Sequence, residues 1–175
     1  MHIQRKTTFL IAALALTGTF ASAVARADAT EAKTLRGIDR IKVVIKLFPP
    51  PEFKDTGVTE QVLRPLIESE LQKSGIRVVD GSDLDAPELF VFLNALRTNP
   101  STLTTGQSHS YALTMALKQS VTLARDSNVK ADAAKTWEQS ALGIVPSQNF
   151  ADRIQDDIRL FVWTFLKDFQ SVNPK

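Results

Sequence analysis

From Tyr111 to Leu123 an apolar side chain stands at almost every second position: Tyr111, Leu113, Met115, Leu117, Val121 and Leu123, with Ala112, Thr114, Lys118, Ser120 and Thr122 between them. Such alternation marks a strand with one apolar face. Lipid or the chain's own helices must cover that face, and the choice fixes the architecture. Two further segments make it. "VTEQVLRPLIESELQKSGI" puts Leu63, Leu66, Ile67 and Leu71 on one stripe of a helix, and "NFADRIQDDIRLFVWTFLKDFQSV" does the same with Ile154, Ile158, Phe161, Val162, Phe165, Phe169 and Val172. A bacterial membrane barrel needs eight strands or so and has no use for two long amphipathic helices, whereas this chain offers about five strands. The helices are therefore expected to cover the strands. Gln119 interrupts the apolar face, so it either lies beyond their cover or pairs with a buried group.

The first residues have the layout of an export leader: Arg5 and Lys6, an apolar run from Phe9 to Leu16, a break at Gly18, and Ala27 and Ala29 around Asp28. Residues 1–29 read as a signal peptide cleaved before Thr30, with Ala25 as the alternative site, and residues 30–175 as a single domain. An uncleaved anchor is the rival, but Thr17, Gly18, Thr19 and Ser22 dilute a run barely long enough to span a bilayer. After cleavage no membrane span is expected. Cleavage also removes Arg5, Lys6, Arg26 and Asp28, three of the 21 basic and one of the 19 acidic residues, which leaves the mature chain formally neutral. No basic field then argues for nucleic acid. The chain has no cysteine, which excludes a disulfide scaffold, a thiolate nucleophile and a lipidated amino-terminal cysteine. Stability must come from a core, and a chain of this length can build one.

The remaining elements follow in order. "IKVVIKLF" alternates Ile41, Val43, Ile45 and Leu47 against Lys42, Lys46 and Phe48, and three prolines at 49–51 take the chain out of the sheet. The helix that follows is expected to be capped by Thr59, stapled by Val58 and Leu63, and closed by Gly75 with Ile76 meeting Leu71. Pro65 argues for a start near Arg64 or a bend there. "IRVVD" and "ELFVFLNAL" are strands, the first parallel to "IKVVIKLF" through the helix crossover. The Tyr111–Leu123 strand is expected to turn at "RDSN" and return through "AAKTWEQSALGIV" with Trp137 inward. Asn149 is the expected cap of the last helix, with Asp152 near its positive end.

Catalytic signals are weak. His109 is the one histidine left after cleavage, and "GQSHS" lacks the final glycine and the preceding strand of a nucleophile elbow, so it reads as a polar loop entering a strand. Asp80, Asp83, Asp85 and Glu88 crowd one loop without the glycine and distant glutamate of a calcium loop, and read as a solvated acidic turn. No cofactor is expected and no enzyme. Two apolar features remain outside the expected core: Phe90 and Phe92, facing the side that carries Lys42, Lys46, Thr114 and Lys118, and Leu160 with Trp163 on the outer side of the last helix. These four are the candidate partner-binding residues.

"SVNPK" after an amphipathic helix, "KTWEQSALGIV" before it and "GVTEQVLRPLIESELQKSGIRVV" earlier resemble a group of short, uncharacterised exported bacterial proteins, with Trp137, Asn173 and Pro174 among the matching positions. In that group the positions of Leu160 and Trp163 tend to be polar, and this chain departs there. The layout is more loosely similar to helix-over-sheet periplasmic domains, such as the amino-terminal domain of the Tol system's propeller protein and lipopolysaccharide-assembly lipoproteins. The expected fold is a two-layer α+β sandwich: a mixed, mainly antiparallel sheet of about five strands in β-α-β-β-β-β-α order, both helices on the face bearing Val43, Val91, Leu113 and Trp137, and the other face mostly polar and open. The expected role is a non-catalytic periplasmic module that binds a protein or an envelope component; a homodimer pairing open faces would use the same residues. The alternative is a small-ligand binder with a pocket between the Pro49–Thr59 loop and the hairpin ends, and secretion is the alternative address.

Overall fold

The computed structural model describes residues 24–25, 29–48, 53–98 and 106–174. The rest of the expected leader, residues 49–52 with their three prolines, residues 99–105 and residue 175 lie outside them. The elements run β1 (Val24–Ala25), α1 (Ala29–Lys33), β2 (Arg40–Phe48), α2 (Glu60–Lys73), β3 (Arg77–Val79), β4 (Glu88–Thr98), β5 (Ser108–Leu123), β6 (Asp126–Pro146) and α3 (Phe150–Val172). One mixed sheet has the order β1-β6-β5-β4-β2-β3, in which β2 is parallel to both β3 and β4 and every other pair is antiparallel. The five expected strands and the α+β class are all present; α1 and the two-residue β1 are additions.

Alternation does what period-two patterning requires. Val43, Ile45, Leu89, Val91, Leu93, Leu113, Met115, Leu117 and Trp137 are buried on one face, against Leu63, Ile67 and Leu71 of α2 and Ile154, Ile158, Phe161 and Phe165 of α3. The ends of α2 match the sequence signals. Thr59 accepts from the Val62 amide at 3.3 Å, Val58 and Leu63 are both buried, and the Ile76 amide donates to the Leu71 carbonyl at 3.0 Å with Gly75 at φ +87°. Gln119 does pair: its amide nitrogen donates to the Thr34 carbonyl at 3.2 Å and to the Thr136 hydroxyl at 2.9 Å.

Four local expectations need correction. Pro65 lies inside α2, which starts at Glu60 rather than near Arg64. The guanidinium of Arg64, next to the proline, donates to Glu60, to Glu68 and to the Val43 carbonyl, tying that turn to itself and to the sheet. Asn149 makes no side-chain cap bond, because a 3-10 turn over Ser147–Asn149 leads directly into α3. The β5–β6 hairpin turns at residues 124–125, and β6 has already begun at Asp126. His109 is not in an entering loop: β5 begins at Ser108, and the imidazole is 1 % exposed, stacked on Phe150 at 4.4 Å with its Nδ1 3.1 Å from the Ser147 hydroxyl.

Tyr111 and Gly143 face each other across β5 and β6. The tyrosine ring lies so close over the glycine that a Cβ there would sit 2.7 Å from Cε1. The ring has no freedom to withdraw, since its hydroxyl donates to Asp157 Oδ2 at 2.6 Å and accepts from Arg153 Nε at 2.9 Å. Gly143 is thus required by close approach, a common reason for glycine within a strand.

Candidate functional site

The face of the sheet turned away from the helices is built from the even-numbered residues of β2 and β4 and their partners. The register sets them in rows: Lys42, Glu88 and Lys118; then Val44, Phe90, Ala116 and Glu138; then Lys46, Phe92, Thr114 and Ser140; then Phe48, Asn94, Ala112 and Leu142; finally Leu96, Ser110 and Ile144. One end is charged. Glu88 lies between Lys42 Nζ at 3.8 Å and Lys118 Nζ at 3.6 Å, and Lys135 pairs with Glu138. The other end is apolar, with Phe48 56 %, Leu96 56 %, Leu142 64 % and Ile144 60 % exposed. This face was expected to be mostly polar, and at that end it is not. Large exposed side chains clustered this way differ from the scattered single apolar residues of an ordinary surface.

Phe90 and Phe92 are on this face, as their parity requires, but both are half-buried. Their rings stack at 6.3 Å, and Lys118 Nζ sits 3.3 Å from the Phe90 centroid. Their rows lie between the charged and apolar ends, and Phe48, Leu96, Leu142 and Ile144 are more exposed. Those four carry the same period-two signal and could have been found by following each strand's outer parity to its end. Leu160 and Trp163 are exposed on α3. Trp163 lines a groove of about 260 Å³ with Leu66, Ser69, Arg159 and Leu166, and Lys167 Nζ lies 5.2 Å from its ring; Leu160 is not part of that groove.

Beside the charged end a polar cleft of about 380 Å³ is lined by Lys42, Asp85, Glu88, Lys118, Ser120 and Asp132. Its wall includes Ala133 at φ +55°, where β5 and β6 lose register at a bulge. A non-glycine residue in that region is strained, and bulges recur beside functional sites. The acidic loop is otherwise committed to its own turn and to Arg40. Asp80 accepts from the Ser82 amide and hydroxyl, which hold its carboxyl below the usual carboxylate range, and Asp83 takes Arg40 Nε at 2.8 Å. Among the described residues no three histidine, aspartate or glutamate side chains are grouped to hold a metal.

Acyl transfer needs a nucleophile beside a base that can reach the substrate. Ser147 stands beside His109, whose ring is buried and stacked on Phe150. The Tyr111–Arg153–Asp157 cluster is likewise a tie between β5 and α3, with Asp157 buried.

No family model and no curated protein matches the chain. The fold is similar to that of a minor lipoprotein from Acinetobacter baumannii, at 12% identity and a TM-score of 0.42 over 75% of this chain and 94% of that one. It is similar to the PelC dodecamer subunit from Paraburkholderia phytofirmans, at 13% identity and a TM-score of 0.41 over 83% and 96%. The rare lipoprotein B from Shewanella oneidensis aligns at 15% identity and a TM-score of 0.32 over 75% and 96%. Likeness of this degree transfers neither activity nor partner. Among the described residues no helix is long and apolar enough to cross a membrane.

Proposed function

We propose that this chain is an exported, non-catalytic envelope module that holds a protein or envelope component against the open face of its sheet. The observation that carries the reading is the apolar end of that face, where Phe48, Leu96, Leu142 and Ile144 are exposed beside the half-buried Phe90 and Phe92. Burial of such side chains in a partner is the ordinary source of association energy. The leader layout of residues 1–29 supports the periplasm as the address.

Phe48→Ser with Leu96→Ser is the direct test. Both side chains are exposed on β2 and β4, so the melting temperature should stay within a degree or two of the parent, surface changes usually costing less than about 0.5 kcal/mol. Capture of the partner from a periplasmic extract should fall about tenfold or more, as expected when interface anchors are truncated. Unchanged capture would move the binding surface elsewhere, and the α3 groove at Trp163 would then be tested by Trp163→Ser.

The second reading, a small polar ligand, rests not on a pocket at the Pro49–Thr59 loop, part of which lies outside the described residues, but on the cleft walled by Lys42, Lys118, Asp132 and the strained Ala133. A thermal-shift screen with charged periplasmic metabolites tests it. A ligand at a hundred times its dissociation constant adds about 2.7 kcal/mol, and that gain should vanish in Lys118→Gln. No response across the set removes this reading.

A further inference from the structure

The two margins of the sheet are unequal. β3 closes one with three residues, whereas β6, with 21, forms the other. Part of the β6 margin is covered, because the Thr34 hydroxyl donates to the Thr136 carbonyl at 3.0 Å. Beyond that point runs "QSALGIV", Gln139 to Val145, with no charge and no proline before Pro146. A strand margin of this kind offers unpaired amides and carbonyls to another extended chain, and charges or prolines are the usual means of blunting it.

One strand is already seated there. β1 lies antiparallel on this margin, Val24 opposite Ala141 and Ala25 opposite Ser140. The margin therefore has the geometry to accept an antiparallel neighbour. β1 also falls within the segment read as a leader, so either expected cleavage site takes it away.

We propose that export vacates this margin and that a second copy of the chain fills it, β6 against β6, antiparallel about a two-fold axis at Gly143. That register sets Leu142 of one copy opposite Ile144 of the other, twice, and Ala141 opposite Val145. A two-fold at Leu142 would instead set Ile144 opposite Ser140. Apolar cross-strand pairs decide register where the backbone alone does not. Pro146, with no amide hydrogen, falls opposite Ser140 and ends the ladder. In the precursor, β1 occupies the site and keeps the copies apart. Leu142 and Ile144 belong to both surfaces, whereas Phe48 and Leu96 lie on β2 and β4, away from the margin, so replacing those two tests the open face alone.

The test uses the protein recovered from the periplasm, its amino terminus read by intact mass and its association by sedimentation equilibrium. The expected result is a dimer starting beyond residue 25. Leu142→Lys and Ile144→Glu should each raise the dissociation constant about tenfold or more, since each sets an unpaired charge against an apolar partner. Their melting temperatures should be those of the monomer. An equimolar mixture of the two variants should restore a dimer, the introduced ammonium and carboxylate then facing each other. Phe48→Ser with Leu96→Ser should leave the dimer intact while partner capture falls, which separates this pairing from the open-face reading. A monomer at micromolar concentration, a dimer indifferent to both margin substitutions, or an intact mass that retains Val24 and Ala25 would each overturn the proposal.

Discussion

Trp137→Ala should lower the melting temperature by roughly 10 °C. Trp137 is fully buried, meets Phe165 edge-to-face at 5.1 Å and donates its indole N–H to Asp168 Oδ2 at 3.0 Å. Truncation of a buried tryptophan removes both its transfer energy and its contacts, about 3–5 kcal/mol in total. It also strips Asp168 of a donor. Trp137→Phe separates the two contributions: it keeps most of the ring burial, loses the hydrogen bond, and should cost about 1–2 kcal/mol. Thermal denaturation followed by circular dichroism reads both. A loss under a few degrees for the alanine variant would mean that β6 is not held to α3 through this ring.

Asp157→Ala should cost about 1–3 kcal/mol, because the buried Tyr111 hydroxyl loses its acceptor, while the Arg153 guanidinium, whose side chain is 39 % exposed, keeps its access to solvent. Asp157 Oδ1 takes Arg153 at 3.0 Å while Oδ2 takes the Tyr111 hydroxyl, so the substitution leaves a guanidinium and a phenol without their shared acceptor. Tyr111→Phe should be milder, about 1–2 kcal/mol, since it removes one donor and leaves the ion pair. The tyrosine also gives the cluster a pH signature. Burial pushes the Tyr111 hydroxyl above its ordinary value, and the Asp157 carboxylate pushes it further in the same direction, against the opposing pull of Arg153. The folded state therefore holds that proton more tightly than the unfolded state does. This contribution is whole below the ordinary tyrosine value near 10 and is lost as pH rises through the folded value. Denaturant midpoints measured upward from pH 9 should fall more steeply in the parent than in Tyr111→Phe. Parallel slopes would show that the phenol titrates alike in both states.

How much was legible depended on the range of the signal. Thr59, Val58, Leu63, Gly75 and Ile76 act within one or two turns of their own helix, and each acts where its spacing placed it. Asn149 failed as a cap because the chain arrives from β6 through a 3-10 turn, an approach set by the sheet rather than by the residues near Asn149. Pro65 did not set the start of α2, which begins at Glu60, and Arg64 beside it ties that turn to Val43 on the sheet. His109 was misplaced for the same reason: a histidine beside serines reads as solvated until Phe150, 41 positions away in sequence, is laid flat on it.

Parity told which side of each strand Phe90 and Phe92 occupy, but not their height above it. Lys118 folds over Phe90, and the rings of Phe90 and Phe92 stack on each other. The four exposed apolar side chains of this face, Phe48, Leu96, Leu142 and Ile144, come from three strands, and only the register of β2, β4, β5 and β6 gathers them at one end.

By itself the sequence determined the class: one apolar face per strand, one apolar stripe per helix, and no cysteine to cross-link them. Periods of 2 and 3.6 residues are properties of the local backbone, so they survive in the bare string. Tertiary structure decided which polar groups are sealed, where the strained Ala133 meets the cleft, and which apolar residues share one exposed patch. Those depend on neighbours far apart along the chain, brought together only when the strands take their register.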